Sequence, residues 1–263
     1  MIQEQFANHA IAVLKKDKTV IGLAAGGSWL TNEIDEFSDL DLVLVTTGKV
    51  AGNKNQMLAY AQQLGTLLNG FTGEHVGESR LLICLYDNPL LHVDIKFLVL
   101  EEFYTRIENP VILLDTDGQL QKAITDSAAK FPYPDYQWIE DRFWTWVHYV
   151  LLKIGRGEYL EAFDSMSIFR NLILGPLLHI KNGNLPRGVR KAEQQLSKDD
   201  FQQLQSTLPL YTKGSLLDSL FNAVTLYRHL RKELFTGDIV LQKQTEKRVM
   251  SYFEEIKRSA NGF

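Results

Sequence analysis

The first half of the chain alternates short apolar runs with a helical pattern. Four runs have the length of strands, are rich in Val, Ile and Leu, and are bounded by Gly, Asn, Pro or charged residues: 19–25, 40–46, 80–86 and 92–99. From Asn53 to Leu68, apolar residues instead recur at helical intervals. The pattern predicts a mixed β-sheet with flanking helices.

The second half has helical periodicity throughout. Apolar residues recur three and four apart over 139–154, and the glycines of 155–157 end that run. A second helix is expected over 158–181, with a bend near Pro176. Two further helices are expected over 215–235 and 239–259.

A proline-rich segment, Phe131-Pro132-Tyr133-Pro134-Asp135, separates the two halves. Prolines at this spacing disfavour both a helix and the pairing of strands. We therefore predict an α+β protein with two domains. Residues 1–131 would form the domain with the mixed sheet, and residues 135–263 would form a helical bundle.

Length and composition narrow the class of protein. With 263 residues, 45% of them hydrophobic, the chain can bury a sizeable core. Its apolar runs are far shorter than the ~18 residues that indicate a membrane span. The N-terminus has no basic region followed by an apolar block, as a secretory signal would, and the single cysteine, Cys84, cannot form an intramolecular disulfide. We therefore expect a cytoplasmic protein that does not cross a membrane.

The net charge of −4 argues against a protein that holds a long nucleic-acid backbone by counterion release. The charge is divided unevenly. Residues 1–130 carry 10 basic and 17 acidic side chains, a net charge of −7, whereas residues 131–263 carry 18 and 15, a net charge of +3. This division is expected if the acidic half binds cations and the basic half binds phosphate. It is also expected if both halves simply have solvated charged surfaces.

A candidate phosphate-binding turn lies at Gly26-Gly27-Ser28, directly after the first predicted strand. Glycine lacks a Cβ, so backbone N–H groups there can approach an anion, and we expect the next residues to begin a helix whose positive end favours phosphate. The hydroxyl of Ser28 would add one more donor. Taken alone, the three residues are more typical of a glycine turn with a serine N-cap.

Three aspartates form a candidate metal site. Asp39 and Asp41 are two residues apart at the start of a predicted strand, so their carboxylates lie on one side of it. Two like charges so close repel each other, and a hard divalent cation with oxygen ligands relieves the repulsion. Asp94 adds a carboxylate on another apolar strand, and two-metal phosphoryl-transfer sites need several such groups on neighbouring strands. The alternative for the first pair is a strand whose first residues emerge into solvent.

His92 lies two residues before Asp94. In this position it could orient a ligand, but we expect it to point to the opposite face of the strand from Asp94. There it would be a hydrogen-bonded histidine of the core or of the sheet edge.

These motifs resemble those of a known superfamily. Gly27-Ser28, ten further residues, Asp39-Leu40-Asp41 and a later strand with Asp94 look like the nucleotidyltransferases related to DNA polymerase β. More narrowly, the whole chain resembles the aminoglycoside 6-adenylyltransferases, the streptomycin-modifying group. The blocks that support the narrower resemblance are 93–95, 111–118, 143–144, 149–153, 156–158, 161–164, Arg170, 196–200 and 226–233.

The resemblance implies transfer of AMP from ATP to a hydroxyl of a small molecule, with release of pyrophosphate. The acceptor would bind between a nucleotidyltransferase domain, residues 1–131, and a helical substrate-binding domain, residues 135–263. Asp39, Asp41 and Asp94 would hold two Mg²⁺ ions, while Gly26, Gly27 and Ser28 would contact the nucleotide.

Two residues of the helical half also acquire roles from the resemblance. Lys153 would reach the triphosphate of ATP, and Asp164 would act as general base. From the residues alone, Lys153 could instead complement a helix dipole, and Asp164, which shares a helix face with Glu161, could belong to a solvated acidic face.

Two positions depart from the family pattern: Trp29 stands where the family commonly has Arg, and Leu40 where the streptomycin group tends to have Tyr. An aminoglycoside antibiotic, hence a role in antibiotic resistance, is one option among hydroxylated acceptors. Two other functions are compatible with the motifs: an adenylyltransferase that modifies a protein partner, as in toxin–antitoxin pairs, and a nucleotide-binding sensor without catalysis. The three carboxylates favour an enzyme over the sensor.

Overall fold

The computed structural model describes residues 1–260. The chain folds into two compact units, of which the first ends at Phe131 and the second begins at Pro132. The first contains a six-stranded mixed sheet and the second is helical, so the predicted α+β class is confirmed.

The first unit is built around the strand order β3-β4-β5-β2-β1-β6. The β2–β5 pair is parallel and the other pairs are antiparallel. Its strands are β1 Val20–Ala25, β2 Leu40–Thr46, β3 Thr66–Gly73, β4 Glu78–Asp87, β5 Leu91–Val99 and β6 Val111–Asp115. Its helices are α1 Ile2–Leu14, α2 Lys54–Gln63, α3 Leu100–Phe103 and α4 Gln119–Asp126.

The two faces of this sheet are covered differently. On one face, Leu40, Leu42 and Leu44 of β2 pack into a core with residues of α1 and α2. On the other face, Val45 and Leu98 pack under α3 and α4 in a smaller core, which covers the C-terminal ends of β2 and β5. Side chains alternate along a strand, so residues at the N-terminal ends of β2 and β5 also point to this second face. These residues lie outside the small core.

The prediction of a helix from Asn53 to Leu68 is wrong at its end. Asn53 caps α2, its side chain accepting the N–H of Gln56, but the helix ends at Gln63. Leu68 lies on β3, an edge strand that pairs with β4. Strands β3 and β6 were not predicted. Half of β3 is exposed, and its pairing with β4, rather than its own apolar pattern, makes it a strand.

The second unit consists of helices around a single apolar core that includes Phe143, Trp144, Phe169 and Tyr227. No helix within residues 1–260 is long and apolar enough to cross a membrane. The helices of this unit are α5 Tyr136–Arg156, α6 Tyr159–Phe169, α7 Gly175–Lys181, α8 Ala192–Gln195, α9 Lys198–Gln205, α10 Lys213–Leu234 and α11 Lys243–Ala260.

The helix predicted over 158–181 is irregular before Pro176 rather than simply bent at it. A π-helical turn, Arg170–Leu174, separates α6 from α7. Pro176 has no N–H to donate and its ring crowds the carbonyl four residues earlier, so the wider turn precedes it.

Candidate active site

Two of the predicted aspartates lie side by side on neighbouring strands. Asp41 on β2 and Asp94 on β5 are register partners in the parallel pair. The residues beside them, Leu40 and Val93, are buried in the core on the opposite face. Both carboxylates therefore project from the second face of the sheet, beyond the small core under α3 and α4.

Asp39 precedes β2 by one residue and is half-buried. Its negative charge acts on Asp94: burial is the main cause that raises the pKa of the Asp94 carboxyl, and the charge of Asp39 raises it further. The structure thus places the three predicted carboxylates at the start of β2 and β5, with Asp41 beside Asp94 and the charge of Asp39 acting on Asp94.

His92 shares a face with Asp94, so the expected opposite orientation is wrong. Its Nε2 lies 2.9 Å from Oδ1 of Asp94, and this hydrogen bond lowers the pKa of that carboxyl against the effect of burial. The two-residue spacing of His92 and Asp94 already indicates a shared face, since residues two apart on a strand point to the same side.

The glycine turn is built around Asp41. Gly26 follows β1 and donates its N–H to the main-chain carbonyl of Asp41 at 2.9 Å. Gly27 has a φ of +58°, and a Cβ at this position would lie 1.9 Å from Oδ2 of Asp41. Glycine is thus required at position 27 both by its backbone conformation and by its approach to the carboxylate.

The helix expected after this turn is only a five-residue 3₁₀ helix, Gly27–Thr31. It ends at Asn32, which has a left-handed conformation, and Glu33 donates its N–H to the carbonyl of Ser28. Any phosphate contact here would come from individual N–H groups and the Ser28 hydroxyl, because so short an element has little macrodipole.

Replacing Gly27 with Ala is expected to weaken Mg²⁺–nucleotide binding about tenfold or more. The left-handed conformation costs roughly 1–2 kcal/mol with a Cβ, and the new methyl group must displace the Asp41 carboxylate. Calorimetric titration with Mg²⁺ and α,β-methylene-ATP measures the change. The matched control is Gly26→Ala, whose Cβ would meet only the Cβ of Asp41, at 3.7 Å. A Gly27→Ala affinity equal to that of wild type would contradict a role for this turn at the nucleotide.

The aspartates have the donor chemistry of a Mg²⁺ site but do not form a complete cage. Carboxylate oxygens are the ligands that hard divalent cations prefer. Across residues 1–260, no three His, Cys, Asp or Glu side chains converge as a metal-binding group. Mg²⁺ is usually held by one or two carboxylates together with substrate phosphates. A register pair such as Asp41 and Asp94 therefore fits an ion that arrives with a nucleotide.

A salt-bridge network lies on the same face, next along β5. Lys96 is two residues after Asp94, and its Nζ lies 2.7 Å from Oε2 of Glu78. Glu78 also accepts two hydrogen bonds from the Arg80 guanidinium, both at 2.7 Å. Arg80 first and Lys96 next hold the pKa of Glu78 at about 2, below its ordinary value of 4.5. The Lys96 charge is therefore committed to Glu78.

Replacing Glu78 with Gln should lower the free energy of unfolding at pH 7 by about 1 kcal/mol, as for a partly exposed ion-pair network. Because the folded-state pKa is depressed, this stabilisation is complete above pH 4.5 and is lost as the pH falls towards 2. Urea denaturation at pH 7 and pH 3 should show a smaller difference between wild type and variant at pH 3. A difference that grows on acidification would contradict the assignment.

In the second unit, Lys153 on α5 is held by carboxylates. Its Nζ lies 2.8 Å from Oε2 of Glu158 and 3.0 Å from Oε2 of Glu161. These two groups, Glu158 first, raise the pKa of Lys153, and the ammonium also lies 5.0 Å from the ring centre of Tyr149. A phosphate that binds Lys153 would have to share it with these carboxylates or replace them.

The predicted base, Asp164, lies exposed on α6. Glu161, one turn earlier, is less suited to the role: it accepts a short hydrogen bond from the Tyr149 hydroxyl, and Tyr149 and then Lys153 lower its pKa. Glu140 is fully buried and accepts hydrogen bonds from Trp144, Tyr227 and Arg231, so it is a structural carboxylate.

Comparison with known proteins assigns the chain to a family. A family model described as streptomycin adenylyltransferase matches residues 2–256. Among solved structures, the chain is similar to an aminoglycoside 6-adenyltransferase from Bacillus subtilis, with 18% sequence identity, 98% of each chain covered and a TM-score of 0.40. No curated protein sequence matches. The assignment rests on the family model, which spans nearly the whole chain and confirms the predicted resemblance. The chain therefore belongs to the streptomycin adenylyltransferase family and is a nucleotidyltransferase.

Proposed function

We propose that the protein transfers AMP from ATP, in the presence of Mg²⁺, to a hydroxyl group of a small molecule. One observation carries the proposal: Asp41 and Asp94 are register partners on adjacent parallel strands. The turn at Gly27, which approaches the Asp41 carboxylate, and the membership of a nucleotidyltransferase family support it. Carboxylates in this arrangement suit a divalent cation that bridges protein and phosphate.

The first unit would bind the nucleotide. Asp39, Asp41 and Asp94 are proposed to hold the metal, as two ions. Bound Mg²⁺ would neutralise charge on the phosphates as the α-phosphorus is attacked. The main-chain N–H groups of Gly27 and Ser28, with the Ser28 hydroxyl, would hold phosphate oxygens next to Asp41. Gly26, which donates its own N–H to the carbonyl of Asp41, would shape the turn beside the nucleotide.

The second unit would supply two side chains. Lys153 is proposed to contact the triphosphate, and Asp164 to accept the proton of the acceptor hydroxyl. In the reaction, the hydroxyl oxygen bonds to the α-phosphorus of ATP, and the bond from that phosphorus to the α–β bridging oxygen breaks. Pyrophosphate leaves with the electron pair of the broken bond, and the hydroxyl proton moves to Asp164.

The acceptor is proposed to be a small hydroxylated molecule, with an aminoglycoside such as streptomycin as the first to test. The family description supports this choice. Trp29 and Leu40, at positions that depart from the family pattern, are reasons to test hydroxylated molecules of other classes beside it.

The proposal is tested by incubating the purified chain with Mg²⁺, ATP and one candidate acceptor at a time. The expected product is the acceptor with an added AMP, detected by mass spectrometry, together with an equal amount of pyrophosphate. An Asp41→Asn protein, prepared in parallel, controls for contaminating activity. AMP on a co-purifying protein would support the protein-acceptor alternative. Tight ATP binding without transfer to any acceptor would support the sensor.

A further inference from the structure

His92 is an unassigned polar side chain beside the proposed metal ligands. Its Nε2 lies 2.9 Å from Oδ1 of Asp94, and half of its side chain is exposed, against 22% for Asp94. Across the sheet, His92 is opposite Leu85 of β4, and Asp94 is opposite Ile83. The apolar side chains on that side offer Asp94 no competing hydrogen bond.

The direction of the hydrogen bond follows from the chemistry of the two groups. An ionised carboxylate can only accept, so the imidazole must donate its Nε2–H to Oδ1. One oxygen of Asp94 is thereby committed to His92. The other oxygen keeps its lone pairs for a cation.

The bond also opposes a specific force. Asp41 on β2 is the register partner of Asp94, so two carboxylates of like charge lie side by side before a cation is bound. The hydrogen bond from His92 holds the Asp94 carboxylate in one orientation against this repulsion. Hydrogen-bonded partners of metal ligands act in this way in other sites, and their loss typically lowers metal affinity 10- to 100-fold.

We propose that His92 is a positioning residue, which orients the Asp94 carboxylate for the divalent cation that enters with the nucleotide. This inference rests on the proposed function, because it assumes that Asp94 holds the metal. His92 itself touches neither the metal nor the reacting atoms.

The test measures Mn²⁺ affinity by electron paramagnetic resonance, in place of Mg²⁺ and with saturating α,β-methylene-ATP, which cannot transfer AMP. His92→Ala should weaken Mn²⁺ binding about 10- to 100-fold. His92→Gln, whose amide nitrogen reaches about as far as Nε2, should restore affinity to within a few-fold of wild type. His92→Asn carries the same amide on a shorter side chain and should resemble His92→Ala.

A double-mutant cycle separates positioning from a general effect on the fold. In an Asp94→Asn background, His92→Ala should cause little further loss of Mn²⁺ affinity. If His92→Ala binds Mn²⁺ as tightly as wild type or more tightly, the inference is overturned. It is also overturned if His92→Gln binds Mn²⁺ as weakly as His92→Ala, since the imidazole ring would then be needed as a ligand. Mn²⁺ binding that Asp41→Asn leaves unchanged would overturn the proposed metal site itself, which distinguishes the two failures.

Discussion

Replacing Asp41 with Asn is expected to reduce AMP transfer about 10³-fold or more while the fold persists. Asn has the shape of Asp, so it fits against Gly27 and preserves the main-chain hydrogen bond to Gly26. It removes the charge that faces Asp94 across the β2–β5 pair. If that charge holds the cation that stabilises the transition state at the α-phosphorus, several kcal/mol of stabilisation are lost. Pyrophosphate release under saturating Mg²⁺ and ATP measures the effect.

Thermal unfolding of the same variant provides a second result. Without metal, Asp41→Asn should be at least as stable as wild type, because it relieves repulsion among carboxylates. Asp126→Asn is the matched control: Asp126 is exposed on α4 and pairs with Lys122, so it removes one acid of the same unit elsewhere. It should keep full activity. Near-normal turnover in Asp41→Asn would refute the metal assignment.

The spacing of the aspartates was informative because strand geometry is local. Alternation alone placed Asp41 on the face opposite Leu40 and Leu42, as the structure has it. The pairing of Asp41 with Asp94 was not readable from the sequence, because parallel register depends on how β2 and β5 align over the whole sheet. The same alternation, applied to His92, places its side chain on the face of Asp94, where the structure shows a hydrogen bond between them.

Other features depended on contacts between different structural elements. Strand β3 lies at the sheet edge, is half exposed, and owes its conformation to pairing with β4. The close approach of Gly27 to the Asp41 carboxylate joins the turn after β1 to strand β2, so a Gly-Gly-Ser pattern could not distinguish it from an ordinary turn. The pairing of Lys153 with Glu158 and Glu161 crosses from α5 to the start of α6, where the chain reverses after Gly157.

Replacing Asp164 with Asn is expected to lower acceptor turnover roughly 10²- to 10⁴-fold, the range for a lost general base, while nucleotide affinity stays unchanged. Asp164 is exposed on α6, so the change should leave the apolar core of the second unit intact. The defect should shrink as the pH rises, because the acceptor hydroxyl then needs less help to lose its proton. Steady-state kinetics across pH, with calorimetry for α,β-methylene-ATP, separate the two effects.

Glu161→Gln is the informative comparison, since Glu161 lies one helical turn before Asp164 but is bound by Tyr149 and Lys153. Its loss should change how Lys153 is held and therefore alter nucleotide affinity more than the proton-transfer step. The opposite result, a pH-dependent loss of turnover in Glu161→Gln with Asp164→Asn unaffected, would move the base to Glu161. Equal losses of affinity and turnover in Asp164→Asn would instead place Asp164 at the nucleotide. The buried Glu140 is excluded from this choice, because its hydrogen bonds to Trp144, Tyr227 and Arg231 leave it no access to an acceptor.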